Sequence, residues 1–275
     1  MKPSLPIALL ALLVAGPAAA QTVKAVPDEL QGVGVTEHLG RRLPADLELV
    51  DENGRRVVLG DYFDGRRPVI LSLGYFRCPM LCNLIWNSLV DTLRELEWTA
   101  GQEFTILTVS IDPDETAALA AAKKENYIRS YQRPSAAAGW HFLTAEQPVI
   151  TELATQVGFD YRYLREQDEF AHTAVLFMLS PEGKIVRYLY GVSQEPKTLR
   201  LALVEASEGT IGTTLDRVIL YCFHYDAKER RYTPAAMALM RVMGAITIAA
   251  LGSVLLVLWR VDRRRKKKMA ATEAR

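Results

Sequence analysis

The chain has 275 residues, with 33 Lys and Arg against 32 Asp and Glu (formal net charge +1), 49% hydrophobic residues and only 3 cysteines. Arg260, Arg263, Arg264, Arg265, Lys266, Lys267 and Lys268 crowd one end, so the remainder is mildly acidic and offers no broad basic surface for nucleic acid. So few cysteines also exclude a disulfide scaffold, which needs many in a short chain.

In chain order, residues 1–20 read as a secretory signal. Lys2 supplies the positive start, residues 5–14 the apolar run, and Ala18-Ala19-Ala20 the small residues before a cleavage at Gln21. An apolar run of about 10 residues is too short to cross a hydrocarbon core of roughly 30 Å. Residues 21–39 form an approach segment, and the sequence predicts a domain over 40–210. It opens with a hairpin, strands at 47–50 and 56–59 around the Glu52-Asn53-Gly54 turn. Residues 68–76 are a nearly continuous apolar run, expected of a parallel strand buried on both faces. A helical apolar stripe follows, Leu81, Ile85, Leu89, Leu93 and Leu96, predicting a helix over 82–96.

Residues 104–111 predict a second buried strand, after which Asp112-Pro113-Asp114-Glu115 is expected to cap a helix running to about Tyr131. A short strand at 141–143, a helix at 148–157, strands at 174–179 and 185–189 across the Ser180-Pro181-Glu182-Gly183 turn, and a helix at 196–208 complete the domain. The order is that of a mixed α/β sheet of thioredoxin-like type with an N-terminal hairpin extension. Residues 211–234 form a membrane-proximal segment. No charge occurs from 242 to 259, a stretch rising about 27 Å as a helix, so 235–259 is expected to be one C-terminal transmembrane helix with Trp259 at the interface. The cationic tail, 260–275, belongs in the cytoplasm by the positive-inside rule. The domain is thus expected in the periplasm, on a single-pass anchor in the inner membrane.

Gly74-Tyr75-Phe76-Arg77-Cys78-Pro79-Met80-Leu81-Cys82-Asn83 sits where a central strand gives way to a helix, the place where open α/β sheets carry functional loops. Helix-start amides and Arg77 favour a thiolate at Cys78. Three intervening residues put the two sulfurs about one helical turn apart on one side, which suits a chelate and still permits a disulfide. Soft thiolates select Cu(I), zinc or iron–sulfur clusters. Of the histidines, His172 stands just before the strand at 174–179. In a thioredoxin-like sheet the loop there faces the cysteine helix, so His172 could complete a site of two cysteines and one histidine. His141, beside Trp140, reads as packing, and His38 carries no clear signal. Cys222 and His224, with Met237, Met240 and Met243 nearby, could chelate a metal but read more simply as packing; Cys222 is an unpaired thiol that could join a partner in a mixed disulfide.

The strand–Cys-Pro-x-x-Cys turn, the Ser110-Ile111-Asp112-Pro113 segment with Asp114 and Glu115, and His172-Thr173 before a strand together resemble the SCO/SenC family of copper-delivery proteins. The resemblance implies copper, Cu(I) or Cu(II), bound by Cys78, Cys82 and His172. It also implies delivery from a copper donor protein to the binuclear copper site of cytochrome c oxidase subunit II. The chain departs from the family pattern at Met80, Asn83 and Ala171, and in placing its anchor at the C-terminus. A periplasmic thiol–disulfide oxidoreductase acting through Cys78 and Cys82 as its catalytic pair is the competing reading, and it leaves open whether the chain is an enzyme. A peroxiredoxin-like peroxidase would place Thr where Tyr75 stands.

Overall fold

The computed structural model describes residues 31–208, the strands Phe223–Asp226 and Arg231–Pro234, and residues 246–248, 251–253 and 259. The expected signal (1–20), Cys222, Met237, Met240, Met243, the cationic tail (260–275) and most of the expected membrane span (235–259) lie outside the described residues, as does the side chain of His224. No helix among the described residues is long and apolar enough to cross a membrane.

Short strand β1 (Gly34–Val35) precedes a hairpin of β2 (Glu48–Val50) and β3 (Arg56–Val58), whose tight turn uses Gly54 at φ +77°. Leu59 leaves the second arm for a 3-10 turn, Leu59–Tyr62, so that arm is one residue shorter than expected. Strand β4 (Val69–Gly74) is buried at all its positions, as its apolar run requires, and runs into helix α1 (Leu81–Glu95). Next come β5 (Thr105–Ser110), α2 (Ala117–Tyr131), β6 (Trp140–Leu143) and α3 (Gln147–Val157). Three short strands follow: β7 (Phe159–Asp160), β8 (Arg162–Leu164) and β9 (Glu169–Ala171). The domain closes with β10 (Val175–Leu179), β11 (Ile185–Tyr190) and α4 (Pro196–Ala206).

One five-stranded sheet, in the order β11-β10-β4-β5-β6, organises the whole. Strands β4, β5 and β6 are parallel, while β10 runs antiparallel to both β4 and β11. This is the mixed sheet the sequence predicts. Helix α1 lies between α2 and α4. Under α1 and α2 the rings of Trp86, Tyr127, Trp140 and Phe142 interlock, with Tyr127 stacked 5.9 Å from Phe142.

Three features depart from expectation. Helix α2 is capped by Thr116, whose side chain accepts from the Leu119 amide, and not by the Asp112–Glu115 stretch. Glu115 instead turns inward, because three buried donors wait for its carboxylate. Residues 162–171, to which the sequence assigns no element, form the β8–β9 hairpin. The approach segment is tied into the domain, since β1 pairs with β7 and Thr36 N–H donates to Gly158 O at 2.8 Å.

Candidate metal centre

Strand β4 places its last residue, Gly74, against the first turn of α1. A side-chain carbon at Gly74 would stand 3.0 Å from both Cys82 Sγ and Trp86 Cζ2, so the glycine is what lets Cys82 approach the strand. The chain then turns through Tyr75 to Met80. Helix α1 has no side-chain cap at Met80, and the first-turn amide of Cys82 donates to the Cys78 sulfur at 3.4 Å. Cys78 thus accepts the kind of helix-start donor that a capping oxygen would satisfy.

Two buried polar contacts hold this turn. The Glu115 carboxylate accepts from Phe76 N–H (2.7 Å), Arg77 N–H (2.6 Å) and the Ser110 hydroxyl (2.6 Å), with Arg77 Nε at 3.7 Å. Burial pushes the Glu115 carboxyl up, and these donors pull against it. Asn83 donates from Nδ2 to Cys78 O at 2.7 Å and accepts at Oδ1 from Lys123 Nζ (3.0 Å) and the Tyr127 hydroxyl (3.3 Å). The residue that departs from the family pattern therefore clasps the turn to α2.

His172 enters from the loop between β9 and β10, the strand paired with β4. Its Nε2 lies 3.1 Å from Cys82 Sγ and its Nδ1 3.2 Å from Thr173 O. A carbonyl oxygen only accepts, so the Nδ1 contact calls for a hydrogen on that nitrogen, while Nε2 faces Cys82 Sγ. All three side chains are buried, with Cys78 and His172 6% exposed and Cys82 1%. Tyr75 and Phe159 flank the imidazole, with ring centroids at 6.3 and 5.8 Å.

The two thiols are electrostatically unlike. Cys78 is held well below the usual thiol range, chiefly because Cys82 donates to it; burial opposes this, and a hydrogen bond from His172 and then the Cys82 and Met80 amides reinforce it. Cys82 is pushed up by burial first, then by the hydrogen bond and charge of Cys78. Tyr75 is pushed up by burial and by its hydrogen bond to Cys78. Cys78 is therefore the ready thiolate, and Cys82 the thiol that keeps its proton.

Two thiolates and an imidazole are soft to borderline donors, the set that suits Cu(I). Among the described residues, no group of three or more His, Cys, Asp or Glu side chains already stands at metal-holding geometry. Cys82 Sγ and His172 Nε2 are 3.1 Å apart, and a metal ion held by these side chains would take the place of the Cys82 thiol proton.

The structure thus brings Cys78, Cys82 and His172 together. His141 lies elsewhere, tilted on Tyr62 at 4.7 Å and 3.8 Å from Glu52, as a packing residue. His38 bonds Gln156 O through Nδ1 at 3.1 Å, also away from the thiols. Sequence reasoning did not find the roles of Tyr75, Asn83 and Glu115. Only the position of Tyr75 and Asn83 beside the cysteines hinted at theirs, and Glu115 read equally well as a helix cap.

Comparison with known proteins bears on this centre. Two crystal structures of Aquifex aeolicus VF5 proteins, assigned to electron transfer and electron transport, are each 29% identical to this chain. The first covers 61% of this chain and 94% of its own, with a TM-score of 0.54. The second covers 61% and 98%, with a TM-score of 0.51. The Arabidopsis thaliana ScoI structure, crystallised with copper bound, is 21% identical over 62% of this chain and 98% of its own, with a TM-score of 0.47. A search of curated proteins found no match. The SCO1/SenC family model matches residues 36–206, which contain the whole sheet and all three converging side chains. The chain belongs to the SCO1/SenC family.

Proposed function

We propose that this chain binds one copper ion as cargo through Cys78, Cys82 and His172. It then delivers the ion to, or prepares the cysteines of, the binuclear copper site of cytochrome c oxidase subunit II. The observation that carries the proposal is the 3.1 Å approach of His172 Nε2 to Cys82 Sγ across 90 positions of sequence, in a member of a family whose resemblance implies copper delivery. A disulfide exchanger has no need of that imidazole. In this proposal residues 1–20 export the chain and the uncharged stretch in 235–259 anchors it in the inner membrane. The cations of 260–275 then stay in the cytoplasm.

One observation favours a second reading. A depressed Cys78 beside a raised, buried Cys82 is the asymmetry of a thiol–disulfide oxidoreductase. Cys78 would attack a client disulfide to form a mixed disulfide, and Cys82 would resolve it, leaving a reduced client and a Cys78–Cys82 bond.

Oxidase activity in cells lacking the chain separates the two. Copper delivery predicts rescue by the native sequence and none by Cys78→Ser, Cys82→Ser or His172→Ala. Full rescue by His172→Ala would replace it with the oxidoreductase. In the same cells, protease added to spheroplasts should digest the domain and spare the tail; a protected domain would overturn the proposed topology.

A further inference from the structure

A cleft of about 560 Å³ opens beside the thiols. One wall is the loop after β5, with Asp112, Pro113 and Asp114; the other is the β8–β9 hairpin, with Tyr163, Asp168, Glu169 and Phe170. The floor is aromatic. Phe170 lies 5.3 Å from Tyr75 and 5.0 Å from Tyr163 by ring centroids. At its inner end the floor reaches the metal centre, because the Tyr75 ring lies 6.3 Å from the His172 ring by centroids and Pro79, next to Cys78, lines the cleft.

Four carboxylates on two facing walls meet one cation, Arg77. That guanidinium is already engaged, 3.2 Å from Asp112 and 3.7 Å from Glu115. The hairpin wall is braced by Tyr163 donating to Asp168 at 2.5 Å, across a turn in which Asp168 takes φ +54°. Carboxylates alone would make a solvated acidic surface. Here they rim a trough whose aromatic base runs to the reactive sulfur, and aromatic faces and carboxylates both attract ammonium and guanidinium groups.

We propose that this cleft seats a Lys- or Arg-bearing extended segment of the client polypeptide, next to the client's own metal-binding residues. The proposal rests on the copper-delivery reading for the identity of the client, and on the cleft alone for its charge preference. Charge attraction speeds encounter and selects partners more than it adds affinity. The cleft therefore gives the centre its selectivity, while the cysteines and histidine give it the metal.

The test uses the full chain and two fluorescent, cysteine-free peptides of equal length, one rich in Lys and one rich in Glu, with binding read by anisotropy. The Lys peptide should bind on the order of tenfold more tightly at low salt, and the preference should shrink as salt rises. Asp114→Asn/Asp168→Asn/Glu169→Gln should abolish the preference; Asn is well suited to the positive φ at position 168. Removing the same charge elsewhere, by Asp91→Asn/Glu125→Gln/Glu152→Gln, should leave it. Equal binding of the two peptides, or a preference that survives the cleft variant, overturns the proposal. So does tighter Lys-peptide binding when Arg263, Arg264, Arg265, Lys266, Lys267 and Lys268 are changed to Gln, since the chain's own tail would then be the occupant. The readout needs no copper, so failure here and failure of copper delivery are separate results.

Discussion

At Cys78 hydrogen bonds from the Cys82 thiol, from His172 and from the amide that opens α1 meet one sulfur. Each favours the thiolate, and burial of the site is the opposing effect. Cys82, deeper and beside that charge, holds its proton. An ordinary thiol reacts faster as pH rises toward its pKa of about 8.5, because the thiolate fraction grows. Cys78 is already ionised far below that point, so its alkylation rate should stay nearly flat above about pH 6. A Cys78 rate that climbs tenfold per unit like a free thiol would contradict this account. The two cysteines and His172 are legible in sequence because their chemistry is rare and their spacing specific. Glu115 is not, since a carboxylate ahead of a helix can cap it or turn inward. Only the amides of Phe76 and Arg77 decide which, and they lie on another segment.

Strand β4 and helix α1 were readable from periodicity alone, because an apolar run and a 3.6-residue stripe each admit one solution in this context. Their junction was not. Gly74 is an ordinary strand glycine in sequence, and only the packing shows that a methyl group there meets Cys82 Sγ and Trp86 at 3.0 Å. Neither neighbour can yield easily: Trp86 is 1% exposed and its indole N–H is bonded to Ser72 at 2.9 Å. Gly74→Ala should therefore lower stability by about 1–3 kcal/mol through overpacking. It should also reduce bound copper per folded chain, seen by thermal melting and metal analysis. Full copper occupancy in a Gly74→Ala protein would show that the close approach of Cys82 to β4 is not needed. The β8–β9 hairpin escaped sequence reading for another reason. Its arms are three residues each, joined by the polar stretch Arg165-Glu166-Gln167-Asp168, too short for alternation to register. It nevertheless forms one wall of the cleft and delivers His172 into the centre.

Over the whole molecule, the centre is an assembly of distant segments on one rigid sheet. Cys78 and Cys82 follow β4, while His172 precedes β10, and β4 and β10 are hydrogen-bonded neighbours in register. The sheet order itself brings the imidazole over the thiols. This part of the site was foreseeable from sequence only through the thioredoxin-like order of elements. The most direct test is copper X-ray absorption on the copper-loaded full chain. The account predicts two sulfur scatterers near about 2.3 Å and one imidazole nitrogen near about 2.0 Å, with the nitrogen lost in His172→Ala. A spectrum with two sulfurs and no imidazole, unchanged by His172→Ala, would contradict it.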